Sequence, residues 1–337
     1  MVKQLFMTLA MVAAVVFAGA ARAASPNHTT GTQGLLMIDK VGGHVRFFDP
    51  LTLTERAAIA VPKNPHDFAL SPDHKFAYVP IYGSGVYGRN PEPGHEIYVF
   101  DLAAQKLAKV IDLAPYKSPH SLQVDDGGLL YVTAEVDRKL LVVDPEAGRV
   151  VAAIDVEGTG HWVAVLPDAS KAYIANKNDR MFVSVIDLKE RELIARVTMP
   201  NGTQGVAASP DGKTVVAMDF AEPIMAVIDT ATDTVVDRIT LQDRTGGAYK
   251  AYFSPDGEWL LTLAGSTVSI FDAQDLRAPQ RVLTVGSFPM GFAFSPDGKT
   301  AVVANHDDGT VSVIDLATAQ VTKTVAAGTG VETLTFY

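Results

Sequence analysis

A short apolar segment closing on aspartate recurs seven times: Val45–Asp49, Ile97–Asp101, Leu140–Asp144, Val183–Asp187, Met225–Asp229, Val268–Asp272 and Val311–Asp315. The closing aspartates advance by 52, 43, 43, 42, 43 and 43 positions. A period of this length means that each copy is one supersecondary unit, burying its apolar face against the next copy. A turn sequence interleaves with it: Ser71-Pro72-Asp73-His74, Ser209-Pro210-Asp211-Gly212, Ser254-Pro255-Asp256-Gly257 and Ser295-Pro296-Asp297-Gly298. Leu166-Pro167-Asp168-Ala169 and Asp125-Asp126-Gly127-Gly128 fill the same slot in two degenerate copies.

Between these landmarks the third copy divides into His161–Leu166, Lys171–Asn176, Met181–Asp187 and Glu192–Thr198, each short, rich in β-branched residues and bounded by turn formers. Four strands per unit predict an all-β fold, a seven-bladed β-propeller with four antiparallel strands per blade. The last copy stops after one strand, Glu332–Tyr337, while the chain opens with Leu35–Asp39, His44–Asp49 and Leu53–Ala60. Those complementary ends predict that the C-terminal strand pairs with the N-terminal strands and closes the ring.

Tyr173-Ile174-Ala175-Asn176, Val303-Ala304-Asn305 and the repeated Val-Ser-Val-Ile-Asp resemble the YVTN repeat. The resemblance covers the chain after its first residues and is nearest to the periplasmic YncE-like proteins. It extends more distantly to the propellers of amine dehydrogenase heavy chains and haem-containing nitrite reductases. It implies a fold and leaves the activity open.

The N-terminus reads as an export signal. Lys3 precedes an uncharged apolar run from Leu5 to Gly19, and Ala21-Arg22-Ala23 fits a cleavage site. The expected organisation is a signal peptide at 1–23, a single propeller domain at 24–337 and a periplasmic location. The apolar run is shorter than a membrane span requires, and no later run is long enough. With no cysteine, thiol catalysis, Cys-held clusters and covalent haem attachment are excluded. The net charge is −10, and no run of Lys and Arg suits a phosphate backbone, so nucleic acid is not an expected partner. A monomer is expected.

Counting six residues back from the proline slot of each turn gives the start of each blade's innermost strand. Those positions are His66, His120, His161, Gln204, Tyr249 and Met290, with Glu332 as the seventh. Three of the eight histidines thus share one slot at the channel mouth. His66, His120 and His161 form a candidate site for a transition metal such as zinc or copper. Glu135, at the loop after a second strand, is the candidate carboxylate; Asn176, Asp219 and His306 fall at equivalent tips, where Asn176 and Asn305 read as turn formers. The 52-residue spacing places an insertion at Gly83–Gly94, with Tyr82, Tyr87, Arg89 and His95 in or beside it, as a lid over the cluster. Two functions stay open. One is a binding or scaffold propeller that takes a protein, peptide or small-molecule ligand at its mouth. The other is a metal- or cofactor-dependent oxidoreductase built on the histidines; a hydrolytic reading such as a lactonase rests on fold alone.

Overall fold

In the computed structural model, which describes residues 33–62, 64–242 and 246–337, the apolar segments are the third strands of seven four-stranded antiparallel sheets. Blade 1 comprises Ala69–Leu70, Phe76–Gly83, Pro93–Asp101 and Lys106–Asp112. Blade 2 comprises Pro119–Val124, Leu130–Ala134, Lys139–Asp144 and Arg149–Asp155, and blade 3 comprises Val163–Val165, Lys171–Ala175, Phe182–Asp187 and Glu192–Thr198. Blades 4, 5 and 6 begin at Thr203–Ala208, Lys250–Phe253 and Pro289–Phe294. Blade 7 is composite: Val331–Phe336 lies innermost, followed by Leu35–Asp39, His44–Phe48 and Glu55–Ala60. Leu36 pairs with Thr335 and Leu35 with Phe336, so the ends of the chain meet as their pattern requires. The signal-peptide residues 1–23 lie outside the described residues.

The repeat aspartates hold the turns that follow their strands. The Asp49 carboxylate accepts from the backbone N–H groups of Leu51 and Thr52 at 3.0 and 2.8 Å, and Asp315 accepts from Thr318 N–H at 2.8 Å. In the Ser-Pro-Asp-Gly turns the serine hydroxyl donates to the aspartate, as Ser209 does to Asp211 at 2.7 Å. Gly212, Gly257 and Gly298 take the left-handed corner, and His74 and Ala169 adopt the same positive φ without a glycine's freedom.

Each sheet is apolar on both faces, and the core is correspondingly divided into seven clusters, one at every junction between successive blades. Leu122, Val132 and Leu141 of blade 2 pack on Ile97, Val99 and Ile111 of blade 1. The ring closes in the same way: Leu36, Ile38 and Phe47 of blade 7 pack on Ala77, Val79 and Phe100 of blade 1. Val331 and Leu334 pack on Val302, Ala304 and Val311 of blade 6. Middle strands such as Leu35–Asp39 are buried throughout, whereas the outermost strand Glu55–Ala60 alternates exposed with half-buried positions. No helix among the described residues is long and apolar enough to cross a membrane.

Candidate functional site

The mouth of the central channel is built at irregularities in the innermost strands. In blade 2 the ladder skips from Pro119 to Leu122, in blade 4 from Thr203 to Val206, and in blade 6 from Pro289 to Gly291. In blade 7 it skips Glu332. A bulge leaves its extra residue unpaired and re-aims the side chain. The residues so released are those of the six-back slot: His120, Gln204, Met290 and Glu332.

His66, His120 and His161 come together as a stack. Ring centroids are 4.1 Å apart from His66 to His120, and 4.1 Å from His120 to His161, with interplanar tilts of 40° and 34°. Trp162 meets the His120 ring edge-on at 5.1 Å, and Tyr82 meets it at 5.5 Å. Burial pushes His66 down to about 4 against the opposing pull of Glu332. Burial likewise drives His120 and His161 well below the ordinary imidazole value, with neighbouring imidazoles adding to the effect at His120 and Lys177 adding to it at His161. All three rings are therefore neutral at neutral pH. The Lys40 ammonium donates to His66 Nε2 at 2.7 Å, which leaves the ring proton on Nδ1, 2.8 Å from Glu332 Oε1. Glu332 Oε2 lies 3.0 Å from Lys40 Nζ. Burial alone would raise the Glu332 carboxyl, but His66 and Lys40 hold it well below the usual carboxylate range. His161 Nδ1–H donates to the Gln204 carbonyl at 3.1 Å, whereas His120 Nδ1 is buried and has no hydrogen-bond partner among the described residues.

In the trio, both nitrogens of His66 have partners, whereas the hydrogen bond of His161 uses Nδ1, and the rings are tilted by 40° and 34°. Among the described residues no three of His, Asp and Glu are set to close on one metal ion. Of the other slot residues, Gln204 joins through its backbone. Tyr249 turns aside to pack edge-on against Phe288 at 5.0 Å, and Met290 is half-buried without a hydrogen bond.

The Gly83–Gly94 segment lies over this mouth. Tyr87 reaches across from blade 1 to blade 3, where its hydroxyl lies 2.8 Å from Thr159 Oγ1 and 2.9 Å from the Asn176 carbonyl. Its ring stands edge-on to His161 at 5.2 Å. Glu135 Oε1 accepts from Gly88 N–H at 2.8 Å and from the Tyr82 hydroxyl at 2.9 Å, so the carboxylate latches the loop. Its Oε2 is buried with no hydrogen-bond partner among the described residues, and burial raises its pKa. Residues at the equivalent tips behave differently: Asp39, Asn176, Asp219 and Asn305 all hold their own turns or neighbouring strands.

Three lysines complete the channel. Lys40 and Lys177 follow the second strands of blades 7 and 3, and Lys177 Nζ lies 4.5 Å from the Tyr87 ring centroid. Deeper, Lys250 is buried with Nζ 3.4 Å over the Trp162 ring. Burial lowers Lys250 to about 8 and raises Asp67, which faces it, to about 6. Asp67 accepts from the Ser121 hydroxyl at 2.9 Å. With Gln123 and Tyr252 these groups line a cavity of about 330 Å³.

Fold and channel together define the class: a seven-bladed β-propeller with a lidded, polar central mouth. No family model matches the chain. An uncharacterized WD repeat-containing protein of Synechocystis sp. is 28% identical over 134 residues, covering 39% of this chain and 38% of its own length. The match thus spans well under half of that relative. Among solved structures, the Pseudomonas aeruginosa periplasmic gluconolactonase PpgL superposes with a TM-score of 0.73 at 21% identity, over 90% of this chain and 98% of its own. Kuenenia stuttgartiensis hydrazine synthase superposes with a TM-score of 0.68 at 19% identity, over 80% and 88%. Likeness at these identities is a likeness of fold.

Proposed function

We propose that this chain is an exported, YVTN-type binding propeller that takes a small polar ligand at the histidine-lined mouth, beneath the Gly83–Gly94 loop. The observation that carries this reading is unsatisfied polarity inside a built enclosure. His120 Nδ1 and Glu135 Oε2 are both buried without a hydrogen-bond partner among the described residues, although such atoms cost about 1–3 kcal/mol each when left unpaired. A ligand with hydroxyl groups answers both, and the edges and faces of Tyr82, Tyr87 and Trp162 supply apolar walls. The solved periplasmic gluconolactonase of the same fold makes sugars, sugar lactones and sugar acids the first probes. Lys3, the apolar run and the Ala21-Arg22-Ala23 site support export.

Calorimetry with that panel tests the site. Binding that is lost in His120→Ala, with an unchanged unfolding transition, is the expected result. Binding that survives both this change and removal of residues 84–92 would place the ligand elsewhere. Fractionation and N-terminal sequencing test export, with Ala24 as the expected first residue.

A further inference from the structure

The mouth's charges do not balance one another locally. Glu332 is in contact with Lys40 and His66. Asp67 is engaged by Ser121 and by the Leu122 N–H at 3.3 Å, and faces Lys250. Asp179 receives the Thr159 N–H at 3.0 Å and lies 3.7 Å from Arg138 and 3.6 Å from Arg180. Lys177 feels Glu135 most among the acids, but one oxygen of Glu135 is held by the loop and the other is buried. Among the described residues, Lys177 Nζ has no hydrogen bond or ion pair, and the rings of Tyr87 and Phe220 lie 4.5 and 5.9 Å from it. A half-buried ammonium facing aromatic rings has a compact positive charge to offer an incoming group.

A second observation points the same way. Between the composite blade and the loop lies an open depression of about 950 Å³, lined by Lys40, His44, Arg89 and His306. Among the described residues no aspartate or glutamate lines it, on a protein whose net charge is −10. Lys40 lines this depression and also contacts His66 of the histidine stack, so one side chain stands between the two. A cationic approach on an otherwise acidic surface raises the local concentration of anions.

We infer that the mouth site selects a small organic anion, a hydroxylated carboxylate of sugar-acid type, whose acid group rests on Lys177 and which enters through the depression beside Lys40 and Arg89. The inference rests on the mouth being the binding site and adds the charge class of its ligand. The neutral imidazoles of His120 and His161 then serve the hydroxyl groups, and the ring of Tyr87 covers the carbon skeleton.

The probes are D-gluconate, inorganic phosphate and the neutral methyl glucoside, titrated calorimetrically into the full chain. Gluconate should bind more tightly than the glucoside, and its affinity should fall as salt rises. Lys177→Met should weaken gluconate at least about ten-fold and leave the glucoside unchanged, while Lys177→Arg should restore gluconate to within about three-fold. Phosphate that competes with gluconate supports recognition of the charge itself. Gluconate and phosphate both failing to bind at up to about 10 mM would overturn the inference, as would a Lys177→Met variant that binds gluconate normally. If His120→Ala abolishes binding and Lys177→Met does not, the mouth remains the site and only its charge class is wrong. If neither change matters, the site assignment falls as well.

Discussion

Replacing Lys40 with methionine separates the electrostatics of the mouth from its packing. The change removes an ammonium lying 3.0 Å from Glu332 Oε2 and 2.7 Å from His66 Nε2, while keeping an unbranched chain of similar length. Breaking a buried ion pair costs about 3–5 kcal/mol, and the lower figure applies because the Lys40 side chain is 21% exposed. The loss should depend on pH in a calculable way. In the intact protein His66 sits at about 4, against 6.5 for an ordinary imidazole. Below pH 6.5 the unfolded chain therefore binds a proton that the folded one refuses, and stability falls by about 1.4 kcal/mol per unit. Without Lys40 one charge opposing protonation is gone, while burial and Lys250 still disfavour the imidazolium, so the folded pKa of His66 moves up toward the unfolded value and part of that acid-side loss is recovered. The variant should then be weaker than the intact protein by about 3 kcal/mol at pH 8, and by a smaller gap at pH 5.5. Urea unfolding at both pH values measures the gap, and the His66 ring resonance should titrate at a higher pH in the variant. An equal gap at both pH values, with an unshifted His66 titration, would refute the assignment of Lys40 as a group that opposes protonation of this imidazole.

Three further outcomes are expected. Deleting residues 334–337 removes Leu334 and Tyr337 from the two clusters that flank the composite blade, and should cost at least about 5 kcal/mol by calorimetry, a sizeable part of a typical protein's stability. Tyr87→Phe removes the hydroxyl that reaches Thr159 and Asn176, and should speed amide exchange across residues 84–92 by a loss of about 1–2 kcal/mol in local stability, with the global unfolding midpoint held. Gly291→Ala would set a Cβ 2.3 Å from the Glu332 carbonyl, and denaturant titration should show a loss of about 1–3 kcal/mol from overpacking between neighbouring inner strands.

The blades were legible because turn chemistry and strand period repeat in every copy, and because Asp49 and its equivalents do the same local work wherever they fall. The mouth was only half legible. One slot per blade picked out His66, His120, His161 and Glu332, but the residue after the slot lines the channel too. That neighbouring layer of Asp67, Ser121, Trp162 and Lys250 escaped a rule that took one residue per blade, and Lys250, one position past Tyr249, is a buried cation. Lys40 and Lys177 were missed for a related reason: each stands one residue beyond the Asn or Asp that makes the tip, and a lone lysine in a loop carries no sequence signal of burial. Glu135 stood out at its tip, but nothing in the sequence specified that it would hold the Gly88 backbone.

The composite blade also ties the mouth to the closing of the ring. The pairing of Leu36 with Thr335 is a long-range contact that must meet a loop-closure cost the hairpins within a blade do not. Until it forms, Lys40 and His66 lack the Glu332 carboxylate that faces them. A chain interrupted before its last strand carries six finished blades and an incomplete pocket. Ring closure and the completion of this charge pairing are thus one event.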